Sequence, residues 1–469
     1  FFLSVDALSQ TVTVTVHCRG VFQSKVTLSA LSETGTFKPV NGMNGINSGA
    51  TALLVVEERY LPGEFVLRFD YKESPASAPY PSEKRVMIGT QDLELWVNPK
   101  YCNDPDSTWF QPGETENSAL SEFARESFEQ KEQINLLQQF LADYDDTGSK
   151  LYRQCLREYE KRRLVYNEWL AGRKERDRDL FVSSLYSMQY IPETRWGGTE
   201  EERLTSIIDH YFDGADLSDP ALTRTTALTG WIDAYVNLHG QMATTAALRD
   251  SLFPAAAGKA IEKAREGHPE VYGWMVDYFY RGFEINNIPA GMKALEPYLN
   301  DPDCLTSRRK EIARRLEGIE TLVPGTKAPE IRLNSPDGVP FSLYGYKPSA
   351  RYILLLFWSA DCSHCREIMQ SVYPLQQQPE IREKLSVVAV SLDEMEPEIQ
   401  LWQKAVQAYG DWIHLRTEDG VRSKVAADYY ILSTPQMIVL DAGTREIIDL
   451  PGSAEDLRDI IQQKMLNDD

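Results

Sequence analysis

Two cysteines, Cys362 and Cys365, stand two residues apart, just after the apolar run 354–358 and at the start of a helical pattern that reaches Gln377. A thiolate attacks a disulfide, so such a pair needs one accessible, acidified sulfur and a second within bonding reach to resolve the product. A helix start meets both needs. Its free N–H groups and partial positive charge favour the Cys362 thiolate. Cys365 lies one turn in, placed to close an internal disulfide. His364 in the spacer adds a cationic or hydrogen-bonding group that lowers the Cys362 pKa. That stabilises the reduced form and makes the couple more oxidising than one with an apolar spacer.

Other chemistries fit the pair less well. Zinc normally takes four ligands, and no second Cys-x-x-Cys or His pair lies at suitable spacing. Covalent haem attachment needs His directly after the second cysteine, where Arg366 stands. An inert structural pair stays open as the plain alternative. No metal site and no cofactor are expected. A second signal is Thr434-Pro435, just before the apolar run 437–440; proline at a strand start is a common edge device.

The elements that must hold the pair follow from hydrophobic periodicity. A buried strand is expected at 352–359, delivering the cysteines to a helix at 363–377. Strand patterns recur at 385–392, 412–415, 436–440 and 446–450, and helix patterns at 396–408, 421–428 and 454–466. This alternation describes an α/β sheet covered by helices. Residues 322–329 read as the linker into it. Upstream, Leu120, Phe123, Ile134, Leu137, Leu141 and Tyr144 form one helical stripe, and Leu151, Cys155 and Tyr159 another. The charge-rich stretches 161–163 and 173–178 read as solvated helix faces. Helical patterns continue from 200 to 320, with no repeat of fixed period. His210, His239 and His268 form no motif, and the aromatic residues between 211 and 280 read as core.

Residues 10–100 read as β. Val12, Val14, Val16 and Cys18 alternate onto one face, which makes Cys18 a buried thiol. Further strands are expected at 25–29, 52–56, 64–69, 85–88 and 93–97, with turns such as Leu61-Pro62-Gly63 between them, and together they describe a β-sandwich. His17 faces solvent or is satisfied by a partner. Residues 101–113 read as loop.

The whole chain sets outer bounds. Its 469 residues exceed one ordinary core. With 49 Lys plus Arg against 70 Asp plus Glu, the formal net charge is −21, which argues against non-specific nucleic-acid binding. No apolar run of about eighteen residues is present, so no transmembrane helix is expected. The stretch 1–10 is similar to the tail of a signal peptide's apolar region, with Ala7 and Ser9 as the small residues before a cleavage site.

At these residues the C-terminal region resembles the TlpA/ResA-like thiol–disulfide oxidoreductases of the thioredoxin superfamily. The matching features are the lead-in Pro324-Gly325-Thr326-Lys327-Ala328-Pro329, the Asp337-Gly338 turn, the run from Phe357 to Cys365, and Thr434-Pro435. The resemblance implies that Pro435 is a cis-proline packed against the dithiol, that Thr434 offers backbone hydrogen bonds to a bound substrate chain, and that Trp358 belongs with them as a substrate-binding residue. The upstream residues are similar to the β-rich plus helical extension of TlpA-like proteins from Bacteroides-type bacteria, which are exported and often lipid-anchored. The sequence also departs from the family pattern. Where many members place a buried proton-accepting acid, three residues after the second cysteine, Ile368 stands; Glu367 is one place earlier. Leu356 stands where thioredoxins keep a buried Asp. Asp361 precedes Cys362 and opposes His364 in setting its pKa. Glu367 and Asp361 are therefore the candidates for proton handling.

The expected fold is multidomain α+β: a β-sandwich-like domain at 1–112, a helical region at 113–321 and a thioredoxin-like α/β domain at 322–469. The expected function is thiol–disulfide exchange with protein substrates in the periplasm or cell envelope. Cys362 attacks and Cys365 resolves, protein thiols or disulfides and an upstream redox partner serve as partners, and any membrane association runs through an anchor. The alternatives are an envelope binding or scaffold protein with an auxiliary thioredoxin-like domain, and a thiol peroxidase. The peroxidatic Pro-x-x-x-Thr-x-x-Cys pattern is missing around Cys362.

Overall fold

A computed structural model describes residues 11–33, 35–286, 288–432 and 434–465. The leader-like stretch 1–10 lies outside the described residues. The chain divides into two compact units, one of residues 1–279 and 301–307, the other of residues 280–300 and 308–469. Helical residues of the stretch 113–321 therefore fall into both.

The first unit opens with eight strands: β1 Val12–Cys18, β2 Gln23–Leu31, β3 Phe37–Asn47, β4 Thr51–Val56, β5 Gly63–Lys72, β6 Tyr80–Ile88, β7 Leu93–Val97 and β8 Thr108–Phe110. They form two four-stranded sheets, ordered β4-β1-β7-β8 and β3-β2-β5-β6. One apolar core joins them, with Val14 and Leu95 from the first sheet and Leu28 and Phe69 from the second. This is the expected sandwich. Cys18 is buried in it, and burial pushes its thiol up to about 12. His17 is satisfied: its ring lies 2.9 Å from Thr51 Oγ1 and 2.6 Å from Glu94 Oε1 and stacks on Trp96. Two strands went unread. β3 is an edge strand with only Ile46 buried, and its bulges, Pro39, Gly42 and Gly45 erase the alternation. β8 lies inside the stretch expected as loop.

Two long helices follow, Glu116–Asp143 and Lys150–Arg176. The stripe expected on the second holds at Tyr159 and fails at Leu151 and Cys155. Leu151 is exposed and Cys155 half-buried, while Tyr152, Tyr159, Tyr166 and Leu170 face inward. The expectation of solvated charge also fails at three positions, because Arg163, Arg173 and Asp177 are buried. Arg173 donates to Glu122 Oε2 at 2.7 Å, Glu126 Oε2 at 3.0 Å and Asp177 Oδ2 at 3.2 Å. A guanidinium can be buried when its donors are matched by carboxylates, and charge runs in sequence do not reveal that matching.

The second unit carries β9 Arg332–Asn334, β10 Pro340–Ser342, β11 Tyr352–Trp358, β12 Leu385–Ser391, β13 Ile413–Arg416, β14 Gln436–Asp441 and β15 Ile447–Asp449. β9 and β10 make a short hairpin, and the others form one sheet ordered β13-β12-β11-β14-β15. β11, β12 and β13 run parallel, and β14 is antiparallel to β11. Every residue of β11 is buried. Tyr352, Leu354, Leu356 and Trp358 enter one core with the helix Ser363–Gln376, and Ile353, Leu355 and Phe357 enter a second core on the opposite face. A strand covered on both faces reads as a continuous apolar run, which is why it was legible.

Candidate active site

The register of the sheet assembles the site. β11 and β12 are parallel with Trp358 opposite Ser391, so the loops after both strands emerge at one sheet edge. β14 runs the other way with Gln436 opposite Phe357, so the residues just before it reach the same edge. Residues 359–365, Asp393 and Thr434-Pro435 meet there although they are far apart in sequence.

Cys362 caps the helix Ser363–Gln376, and its sulfur accepts the Cys365 N–H at 3.1 Å. Ser, Thr, Asp and Asn commonly fill this place because they accept from the free N–H groups of the first turn; here a sulfur does so. Cys362 is half-buried and Cys365 fully buried, both as free thiols. Burial, then the hydrogen bond with Cys362, pushes the Cys365 thiol up to about 12. The Cys362 sulfur lies 3.8 Å from the Thr434 carbonyl oxygen, and the Thr434–Pro435 peptide is cis. Cys362, Cys365, Thr434 and Pro435 are therefore brought together.

The other sequence candidates divide. Trp358 is 1% exposed in the core beside the dithiol helix, so its side chain is not on the surface that meets a substrate. His364 is exposed and its Nδ1 lies 3.5 Å from Glu367 Oε2, itself exposed; such a pair contributes little, about 0–1 kcal/mol. Glu367 thus faces solvent rather than lying under the dithiol, while Ile368 and Leu356 are buried in the core. Asp361 is exposed, with Oδ1 2.7 Å from Ser359 Oγ. Among the described residues, no three His, Cys, Asp or Glu side chains come together as a metal would require.

Sequence reasoning missed Asp393. It is fully buried, and its carboxylate accepts the Ala360 N–H at 2.8 and 3.1 Å and the Ser391 hydroxyl at 2.6 Å, with Ser359 Oγ also at 2.6 Å. Arg366 Nη1 donates to the Ala360 carbonyl at 2.9 Å. The loop leading to Cys362 is therefore clamped from both sides. The available signal was an acid two residues beyond a buried parallel strand, where loops carry functional groups.

Two outcomes follow. Asp393→Ala leaves the Ala360 N–H and the Ser391 hydroxyl without their acceptor; it should cost about 2–4 kcal/mol in urea unfolding and change the alkylation rate of Cys362. A loss of stability with an unchanged Cys362 rate would make Asp393 purely structural. In Cys362→Ser, iodoacetamide labelling of Cys365, followed by peptide mapping, should still be rising with pH above pH 9, because burial, the larger cause of its raised pKa, stays in place when the hydrogen bond with Cys362 is removed. A plateau below pH 9 would contradict the buried, neutral thiol.

Residues 350–447 match the family described as Thioredoxin-like. A thioredoxin-like protein of Bacillus subtilis (strain 168), YneN, is 33% identical over 118 residues, which cover 25% of this chain; the chain spans 65% of that relative's length. Among solved structures, a thioredoxin-like protein from Bacteroides caccae is 18% identical, covering 58% of this chain and 97% of its own, with a TM-score of 0.39. A thiol:disulfide interchange protein from a Bacteroides species is 24% identical, covering 32% of this chain and 93% of its own, with a TM-score of 0.27. On the strength of the matched family and of the strand order and dithiol described above, residues 350–447 form a thioredoxin-like domain.

Proposed function

We propose that the chain is a thiol–disulfide oxidoreductase of the cell envelope, acting on protein substrates through Cys362 and Cys365. The observation that carries this reading is the asymmetry of the pair. One sulfur is half-exposed at a helix start, 3.8 Å from the Thr434 carbonyl, and its partner is buried one turn away.

The reaction follows from that asymmetry. The Cys362 thiolate attacks one sulfur of a substrate disulfide. The substrate S–S bond breaks, the leaving sulfur takes a proton from water, and a mixed disulfide forms. Cys365 then gives up its proton and attacks the Cys362 sulfur. The mixed disulfide breaks, the second substrate thiol leaves, and two electrons have passed from the protein dithiol to the substrate. Burial of Cys365 keeps it neutral until the neighbouring Cys362 sulfur becomes part of a mixed disulfide and so open to attack. The reverse sequence oxidises a substrate dithiol. Reduction is the direction the resemblance favours, and it requires a redox partner that returns two electrons to the Cys362–Cys365 disulfide. The envelope location rests on the same resemblance.

Cys365→Ser should accumulate mixed disulfides with substrate proteins, seen as dithiothreitol-sensitive adducts on non-reducing gels, and Cys362→Ser should accumulate none. Full exchange by Cys362→Ser, or no exchange by wild type, would contradict the proposal. Peroxide consumption in place of exchange would move the site to peroxidase chemistry.

A further inference from the structure

A cavity of about 520 Å³ opens beside the dithiol, within the ~300–1,000 Å³ range of ligand sites. One wall belongs to the thioredoxin-like domain: His364, Thr434 and Pro435. The opposite wall does not. It is built by residues upstream of that domain, among them Ile285, Ile319 and Leu322. These lie at the end of the helix Pro269–Ile285 and at or just after the end of the helix Arg309–Thr321, and all of the lining residues belong to the second compact unit.

The upstream wall is fixed against the redox domain. A Cβ placed on Gly318 would stand 2.6 Å from Tyr430 Cβ, so the helix backbone approaches that side chain as closely as glycine permits. Arg314 Nη2 donates to the Ala426 carbonyl at 3.4 Å. The charged residues in the lining largely answer one another: Arg315 Nε donates to Glu284 Oε2 at 3.0 Å, with both side chains mostly buried. What remains facing the cavity is chiefly apolar, including Ile285, which is 82% exposed.

We propose that this cavity is the specificity pocket of the exchange reaction, and that it takes an apolar side chain of an extended polypeptide next to the cysteine under attack. This rests on the exchange reading above. The occupant follows from position. A substrate sulfur must sit on Cys362 Sγ, which lies against the Thr434 carbonyl, and Thr434 is itself part of the cavity wall. A chain held there passes its neighbouring side chains between Pro435 and the upstream helices. An acidic side chain in that place would lose water with little in return, because Arg315 is already matched by Glu284 and the other cationic candidate in the wall, His364, is solvent-exposed and lies 3.5 Å from Glu367 Oε2. The helical segment upstream of the redox domain thereby chooses the substrate.

The test uses the reduced full chain. Its probes are synthetic peptides whose single cysteine, flanked on both sides by leucine or by glutamate, is held as a mixed disulfide with 2-mercaptoethanol. The disulfide of 2-mercaptoethanol alone is the third probe. Wild type should favour the leucine peptide over the glutamate peptide by about tenfold in kcat/KM. Ile285→Glu, at an exposed position that folding tolerates, and Ile319→Glu should each bring that ratio close to one. Leu53→Glu, on the exposed face of the sandwich, should leave it unchanged. Exchange with all three probes but no preference, or a preference untouched by both pocket variants, would overturn the pocket. No exchange with any probe would instead overturn the function itself. A wild-type dimer that the two pocket variants dissociate would give the cavity to a second copy of this chain and overturn the assignment.

Discussion

The site depends on the register of one strand. β11 is buried on both faces, so its side chains alternate between two cores, and a slip of one residue would exchange Leu354, Leu356 and Trp358 with Ile353, Leu355 and Phe357. The same register sets where its neighbours end. Pairing of Phe357 with Gln436 brings Pro435 to the dithiol, and pairing of Trp358 with Ser391 brings Asp393 beneath the loop. Both faces are apolar, so a slip would not expose these side chains; its cost is misfit, as Leu, Ile, Phe and Trp of different shape exchange places in two close-packed cores along the whole strand.

Within that frame, polar groups do the fine placement. The Asp393 carboxylate and the Arg366 guanidinium hold the two sides of the Ala360 peptide. The Cys365 N–H then orients the Cys362 sulfur. Burying a carboxylate is costly unless its lone pairs are used, and here they are met by a backbone N–H and by hydroxyls. The family's usual acid under the dithiol is replaced by Ile368 and Leu356. Apolar surroundings raise the Cys365 thiol, which makes the two cysteines unequal without a carboxylate between them.

What could be read from sequence was what local pattern encodes. The strands at 352–358, 385–391 and 93–97 and the helix Glu396–Ala408 were legible because their faces are consistently buried or because their periods are clean. The Cys-x-x-Cys at a helix start was legible because spacing alone implies its chemistry. At Arg173 and Asp393 the deciding partner lies far away in sequence. Arg173 looks solvated until Glu122 and Glu126 are placed beside it. Asp393 looks like any loop acid until Ala360 is above it. The resemblance offers Trp358 as a contact residue, yet β11 is covered on both faces and its side chain is 1% exposed. The strand at 37–47 was hidden by its edge position, where few side chains need to be apolar.

Cys362 and Cys365 act as one two-electron couple, set apart from the buried Cys18, Cys102 and Cys304. Equilibration of the native chain with glutathione disulfide, then mapping of all six cysteines by mass spectrometry, tests it most directly. The account predicts that the peptide holding Cys362 and Cys365 loses two hydrogens and carries no glutathione, while buried Cys18, Cys102 and Cys304 stay reduced. Stable glutathione adducts on both Cys362 and Cys365, or a pair that stays reduced while other cysteines oxidise, would contradict it.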